Sequence, residues 1–182
     1  MSDDARQTHY QILDWIPGTP LLLAAQGKLA NSLWSWAVPL ATVNAETGEI
    51  RELDASMLLT PESHAWHPTQ PGLLALAEGG GRYLTDPNRL ALLDVISGEL
   101  RPLTGEGMSV FEPAWSPDGQ WLAYAAARVP PDVQGDGPTL ERVLEGRAIH
   151  VLDPDTGESH ALTDPGDAID GWPSWSAGPL PL

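Results

Sequence analysis

The sequence predicts an all-β fold assembled from four-stranded antiparallel units, and three observations predict it. A tryptophan followed by a turn and an apolar run recurs at Trp15, Trp66, Trp115 and Trp175. A second landmark, an apolar strand ending in a Gly-containing turn, recurs with Gly48, Gly98 and Gly157, in phase with the first. The chain also carries 18 Gly and 18 Pro among 182 residues. Without a glycine period, that composition fits many tight turns between short strands and argues against a helical bundle.

Each unit is justified in order. In unit one (9–54), Asp14-Trp15-Ile16-Pro17-Gly18 ends strand A and leads into strand B at Leu21–Ala25. Ala41-Thr42-Val43 supplies strand C, Thr47-Gly48-Glu49 turns, and Arg51-Glu52-Leu53 supplies strand D. In unit two (55–104), Ala65-Trp66-His67-Pro68 leads through Pro71-Gly72 into Leu73–Ala77, and Leu92-Leu93-Asp94 and Arg101-Pro102-Leu103 follow. Pro102 cannot donate to a ladder, so strand D is predicted at an edge. In unit three (105–163), Trp115-Ser116-Pro117-Asp118-Gly119 suits a type I turn before Trp121–Ala127, and Ile149–Leu152 and His160-Ala161-Leu162 close the unit. A Pro/Gly-rich insertion at 128–147 accounts for its greater length. Residues 164–182 read as an incomplete fourth unit, a strand A at Trp175. Four-stranded units of about 50 residues are β-propeller blades.

The third unit resembles the TolB-type β-propeller repeat, on Trp115-Ser116-Pro117-Asp118-Gly119, the apolar strand after it, and Ala161-Leu162-Thr163 at its close. Unit two is similar with His67 at the Ser position, and unit one is weaker. The resemblance implies a six-bladed ring around a central channel, used as a binding platform. Its namesake is a periplasmic partner of a cell-envelope lipoprotein, and similar propellers gate prolyl-oligopeptidase-type and tricorn-type peptidases. This chain departs in having three full blades plus one lone strand. Two blade faces are then expected to be bare, lined by strand B side chains such as Leu22, Leu74 and Leu122, and apolar faces of that size predict association. Three arrangements stay open: part of a longer propeller, two chains closing one six-bladed ring as a homodimer, or an open arc against another protein.

Charge and composition exclude several classes. Nine Lys and Arg face 25 Asp and Glu, a net charge of −16. Phosphate backbones repel such a chain, so nucleic acid is not an expected partner; cationic partners are one reading of the acidity and simple solubility the other. No stretch is apolar enough for membrane insertion. No secretory leader is visible at 1–20, so the expected location is cytoplasmic as written, or periplasmic if an upstream leader is missing. Cysteine is absent, which removes thiolate metal sites and Cys nucleophiles. The nucleophile elbow, zincin helix and phosphate-loop motifs are also missing. The expected function is a non-enzymatic scaffold for protein–protein interaction without cofactor or metal. The alternatives are the gating propeller of a peptidase and a metal-dependent propeller enzyme.

Candidate positions follow from the geometry of blades. Short A–B and C–D turns lie on one side of the disc, and long B–C and D–A connections on the other. Long loops carry function on rigid scaffolds, so a partner is expected on the B–C/D–A side. Trp34 and Trp36, in the first B–C connection, are candidate anchors. Residues 139–145 have helical spacing, fitting a docking helix or an ordered insert. His64, Glu112 and Asp170 begin the A strands and are candidate residues of the channel mouth. His64 and His67 are three apart on a strand, so they point to opposite sides and do not share a metal. Asp153-Pro154-Asp155-Thr156-Gly157-Glu158 resembles a calcium loop, but its register with the other Gly-Glu turns favours a plain turn.

Overall fold

A computed structural model of the chain describes residues 8–28, 37–58, 63–80, 86–105, 107–129, 143–165 and 170–176. Among the described residues, twelve strands form three antiparallel units. Blade one holds β1 (Thr8–Trp15), β2 (Leu21–Lys28), β3 (Ala37–Asn44) and β4 (Ile50–Leu58); blade two holds β5 (His64–Trp66), β6 (Leu73–Gly79), β7 (Asn88–Asp94) and β8 (Leu100–Pro102). Blade three holds β9 (Met108–Trp115), β10 (Leu122–Arg128), β11 (Ala148–Leu152) and β12 (Ser159–Ala161). Strand order within each blade is the chain order. Between blades the ladder shrinks to single pairs, Met57 with Glu78 and Asn88 with Met108. The units are β-propeller blades, and together they form a partial ring. The fourth start, residues 170–176, lies against blade three without entering a ladder.

The turns follow the local chemistry. Asn44, Asp94 and Asp153 each accept two backbone N–H bonds through Oδ1, from the residues two and three positions on. Each turn then passes through a glycine of positive φ, at Gly48, Gly98 and Gly157. The calcium-like segment at 153–158 is therefore the third copy of one turn. Pro102 sits on an edge strand, as β8 pairs with β7 alone.

Two D–A connections are more regular than the sequence suggested. β4 continues to Leu58 and β9 begins at Met108, inside what the sequence reads as long D–A connections. Burial explains it: Ala55, Met57 and Leu58 are enclosed, as are Ser109, Val110 and Phe111. A buried backbone must find partners, and a ladder supplies them.

The core lies mainly in the two seams between blades, with a third, smaller cluster of Leu58, Ala77, Phe111 and Ala125 drawn from all three blades. In the first, Leu23, Leu40, Leu53 and Met57 of blade one meet Leu74, Leu76, Leu93 and Val95 of blade two. In the second, Ala75, Leu90 and Leu92 of blade two meet Val110, Leu122, Tyr124 and Leu152 of blade three. Antiparallel partners share a face, which aligns equivalent rows: Trp15–Leu22–Val43–Ile50, Trp66–Leu74–Leu93–Leu100 and Trp115–Leu122–Leu152–Ser159. Each row faces the preceding blade, so the rows of blades two and three are covered.

Polar contacts repeat along the same seams. Trp66 donates its indole N–H to the Asp14 carboxylate at 2.9 Å, Trp115 to the Ala65 carbonyl at 3.2 Å, and Trp175 to the Ala114 carbonyl at 3.0 Å. Each acceptor immediately precedes the tryptophan of the blade before. In the other direction, Arg51 donates to the carbonyls of Val95 and Ile96, and Arg101 to that of Pro154 at 2.8 Å. Every seam thus carries an indole one way, and both blade–blade seams carry a guanidinium the other.

The expectation of two bare faces is corrected here. Leu74 and Leu122 are fully buried, because their rows point back into the seams. On blade three's other face, Ala123, Ala125, Ala127 and Val151 are also buried, with Ala125 packed against Phe111. Among the described residues, only blade one keeps an open apolar row, with Trp15 58% and Ile50 45% exposed.

Candidate functional site

Blades two and three leave a cleft of about 620 Å³ between their A–B and C–D turns. Its walls carry Asp94 and Glu99 from the blade-two turn, Asp118 and Trp121 from the blade-three A–B turn, and Asp153 and Asp155 from the next C–D turn. His67 and Trp115 line it as well, and Arg101 is the single cation among its described lining residues. Short turns and the strand ends beside them hold these groups, so the cleft is built on regular backbone.

His67 shapes one wall. The strand ends at Trp66, and His67 takes the turn position that Ser116 holds in blade three. Its Nδ1 accepts from the N–H groups of Thr69 and Gln70 at 3.2 and 3.0 Å. Nε2 is then the protonated nitrogen, and it donates to the Gly119 carbonyl at 3.2 Å. The ring also meets Trp115 edge-on at 4.5 Å. Burial lowers its pKa against the opposing pull of the Gly119 carbonyl, which favours the neutral ring.

Three of the carboxylates, Asp94, Asp118 and Asp153, are held below their ordinary pKa range. For Asp94, burial acts to raise the pKa, but the hydrogen bonds from Ser97 and Ile96, with the Arg51 charge, outweigh it and leave it lowered. The Ser116 hydroxyl and the Gln120 N–H lower Asp118, and the N–H groups of Asp155 and Thr156 lower Asp153. These bonds use Oδ1 in each case. Five acidic groups against one guanidinium make the cleft a focused negative field. Trp121, 38% exposed, puts an indole at its rim.

The residues singled out from sequence go elsewhere. His64 lies at the first seam with its Nε2 3.9 Å from Asp14, the carboxylate that also receives the Trp66 indole. Burial lowers its pKa more than Asp14 raises it. Glu112 and Asp170 come together on blade three, joined by Arg147. The Arg147 guanidinium donates to both Glu112 carboxylate oxygens, at 3.2 and 3.0 Å, and to the Asp170 carbonyl. It stacks over Phe111 at 5.1 Å and Trp172 at 5.8 Å, while Glu112 also takes the Trp172 N–H. Glu112 and Trp172 both have positive φ, 55° and 51°. Arg147 thus clasps the last described segment, and it was not among the sequence candidates, because nothing in the insertion distinguishes it from its other arginines.

His64 and His67 point apart, His64 towards Asp14 in the first seam and His67, in the turn beyond the strand, towards Gly119. Trp34 and Trp36 lie outside the described residues, as do 139–142; 143–145 form one helical turn with Val143 buried. Among the described residues, no three His, Asp or Glu side chains gather as a metal site, and none forms a helix long and apolar enough to cross a membrane. The cleft lies on the A–B/C–D side, opposite the side expected to dock a partner. The signal that pointed to it was present in the acidic turns themselves, which were read as structural only.

No family model and no curated protein matches the chain. Solved structures do. The tricorn protease is similar with a TM-score of 0.51 at 16% identity, over 81% of this chain and 16% of that one. An acylaminoacyl peptidase of Pyrococcus horikoshii gives a TM-score of 0.50 at 15% identity, over 87% of this chain and 25% of its own. TolB from Acinetobacter baumannii gives 0.47 at 15%, over 83% and 31%. The chain therefore spans less than a third of each of these proteins. At such identities the first two likenesses establish the propeller fold and nothing finer.

Proposed function

We propose that the chain is a non-enzymatic propeller scaffold that docks a basic segment of a protein partner in the cleft between blades two and three. The observation that carries this reading is the cleft's lining: five carboxylates, set on turns that fix them, beside the indoles of Trp115 and Trp121. Lysine and arginine side chains fit that lining, with the charge at the carboxylates and the stem or guanidinium plane along an indole. The likeness to two peptidases is one of fold, and it supports a gating role no better than a docking role.

A Lys/Arg-rich hexapeptide titrated into the protein and followed by tryptophan fluorescence tests it. Binding is expected at low salt, weakening as salt rises. Glu99→Lys with Asp155→Lys is expected to weaken it about tenfold or more. The matched control, Glu49→Lys with Glu46→Lys, reverses charge at the equivalent turn of blade one. Equal loss in both pairs, or no binding by the unaltered protein, overturns the reading.

A further inference from the structure

Blade one presents half of a seam. Its row Trp15–Leu22–Val43–Ile50 is equivalent to the rows that blades two and three bury against their predecessors. Trp15 is 58% exposed, and Ile12 on the same face is 48% exposed. Its indole N–H corresponds to the one that Trp66, Trp115 and Trp175 each donate across a seam. Its C–D turn carries Ala45 at the position where Val95 and Pro154 accept from an arginine of the blade before.

The complementary half exists on the same chain. Blade three has the socket for a seam tryptophan, the Ala114 carbonyl beside Ala123 and Val151, and Trp175 occupies it. Trp175 is 36% exposed, and its segment adds no strand to the blade. At the position of Arg51 and Arg101, blade three carries His160, which is exposed.

We propose that blade one docks on blade three of a second copy of this chain, with Trp15 taking the socket that Trp175 fills in the single chain. The occupant is argued from continuity: the junction repeats the tryptophan contact and the apolar rows of the seams already built within the chain, with His160 where those seams carry an arginine. Two such junctions about a two-fold axis close two chains into one ring. The segment 170–176 then acts as an internal competitor that yields when a second copy arrives. The net charge of −16 opposes the contact, so salt strengthens it, opposite to its effect on a basic peptide in the cleft. The two proposals therefore fail separately.

Sedimentation velocity on the full chain at high salt, across a concentration series, tests it. The unaltered protein is expected to pass from monomer to dimer as concentration rises. Trp175→Ser vacates the socket and is expected to lower the midpoint about tenfold, the equivalent of about 1.4 kcal/mol. Trp15→Ser abolishes the dimer in either background, and Trp15→Phe, which keeps the ring but loses the N–H, weakens it. Trp15 is more exposed than buried, so unchanged thermal melting confirms that its variants fold. A dimer that survives Trp15→Ser, or an unmoved midpoint in Trp175→Ser, overturns the proposal. So do monomers throughout, which would leave the face to another protein or a further blade.

Discussion

Gly119 answers to two requirements at once. Its φ of 75° is one that an L side chain enters at a cost of roughly 1–2 kcal/mol. A Cβ there would also overlap the His67 ring of the neighbouring blade. Gly48 has nearly the same φ, 73°, with nothing within 4 Å of its Cβ position. Gly48→Ala is therefore expected to lose only the conformational cost, and Gly119→Ala distinctly more. Adding His67→Ser to Gly119→Ala recovers the difference if the ring is its cause; thermal or urea melting of the four proteins measures it. The turn glycine was legible in Ser116-Pro117-Asp118-Gly119. The histidine against it was not, because the two lie 52 residues apart in chain and meet only when blades stack.

At the scale of the element, a blade is a sheet whose faces are finished by its neighbours. The tryptophan at the end of each A strand was visible as a period, yet its acceptor was not. The indole crosses to the residue before the previous tryptophan, a relation that depends on how blades stack rather than on local sequence. Trp115→Phe keeps most of the buried ring and removes one bond to the Ala65 carbonyl. It is expected to cost about 1 kcal/mol, rising if the carbonyl is left dry. Trp15→Phe in the monomer is expected to cost close to nothing, since Trp15 lies in no seam of the single chain. Chemical denaturation at a concentration low enough to keep both proteins monomeric checks the contrast. The arginines at 51 and 101 belong to the same logic. Each looks like a solvated strand residue in sequence and becomes a clamp once the next C–D turn lies beside it.

For the whole molecule, the asymmetry of the two ends matters most. Blade three is closed by Arg147, whose side chain is 6% exposed and paired with a Glu112 side chain 11% exposed. Removing one partner of such a pair leaves the other buried and uncompensated, at a cost of about 3–5 kcal/mol. Arg147→Met is therefore expected to lower stability by that order and to free the segment 170–176; limited proteolysis there, alongside melting, checks it. Sequence alone determined the all-β class, the three-fold repetition and the A–B and C–D turns, because each rests on contacts among residues close in the chain. Tertiary structure decided the rest. Which blade face is covered, where Glu112 and Asp170 meet, and that the acidic turns converge on one cleft are all products of stacking. Stacking brings together residues about 50 positions apart, and a strand pattern sets which side chains share a face without stating what that face will touch.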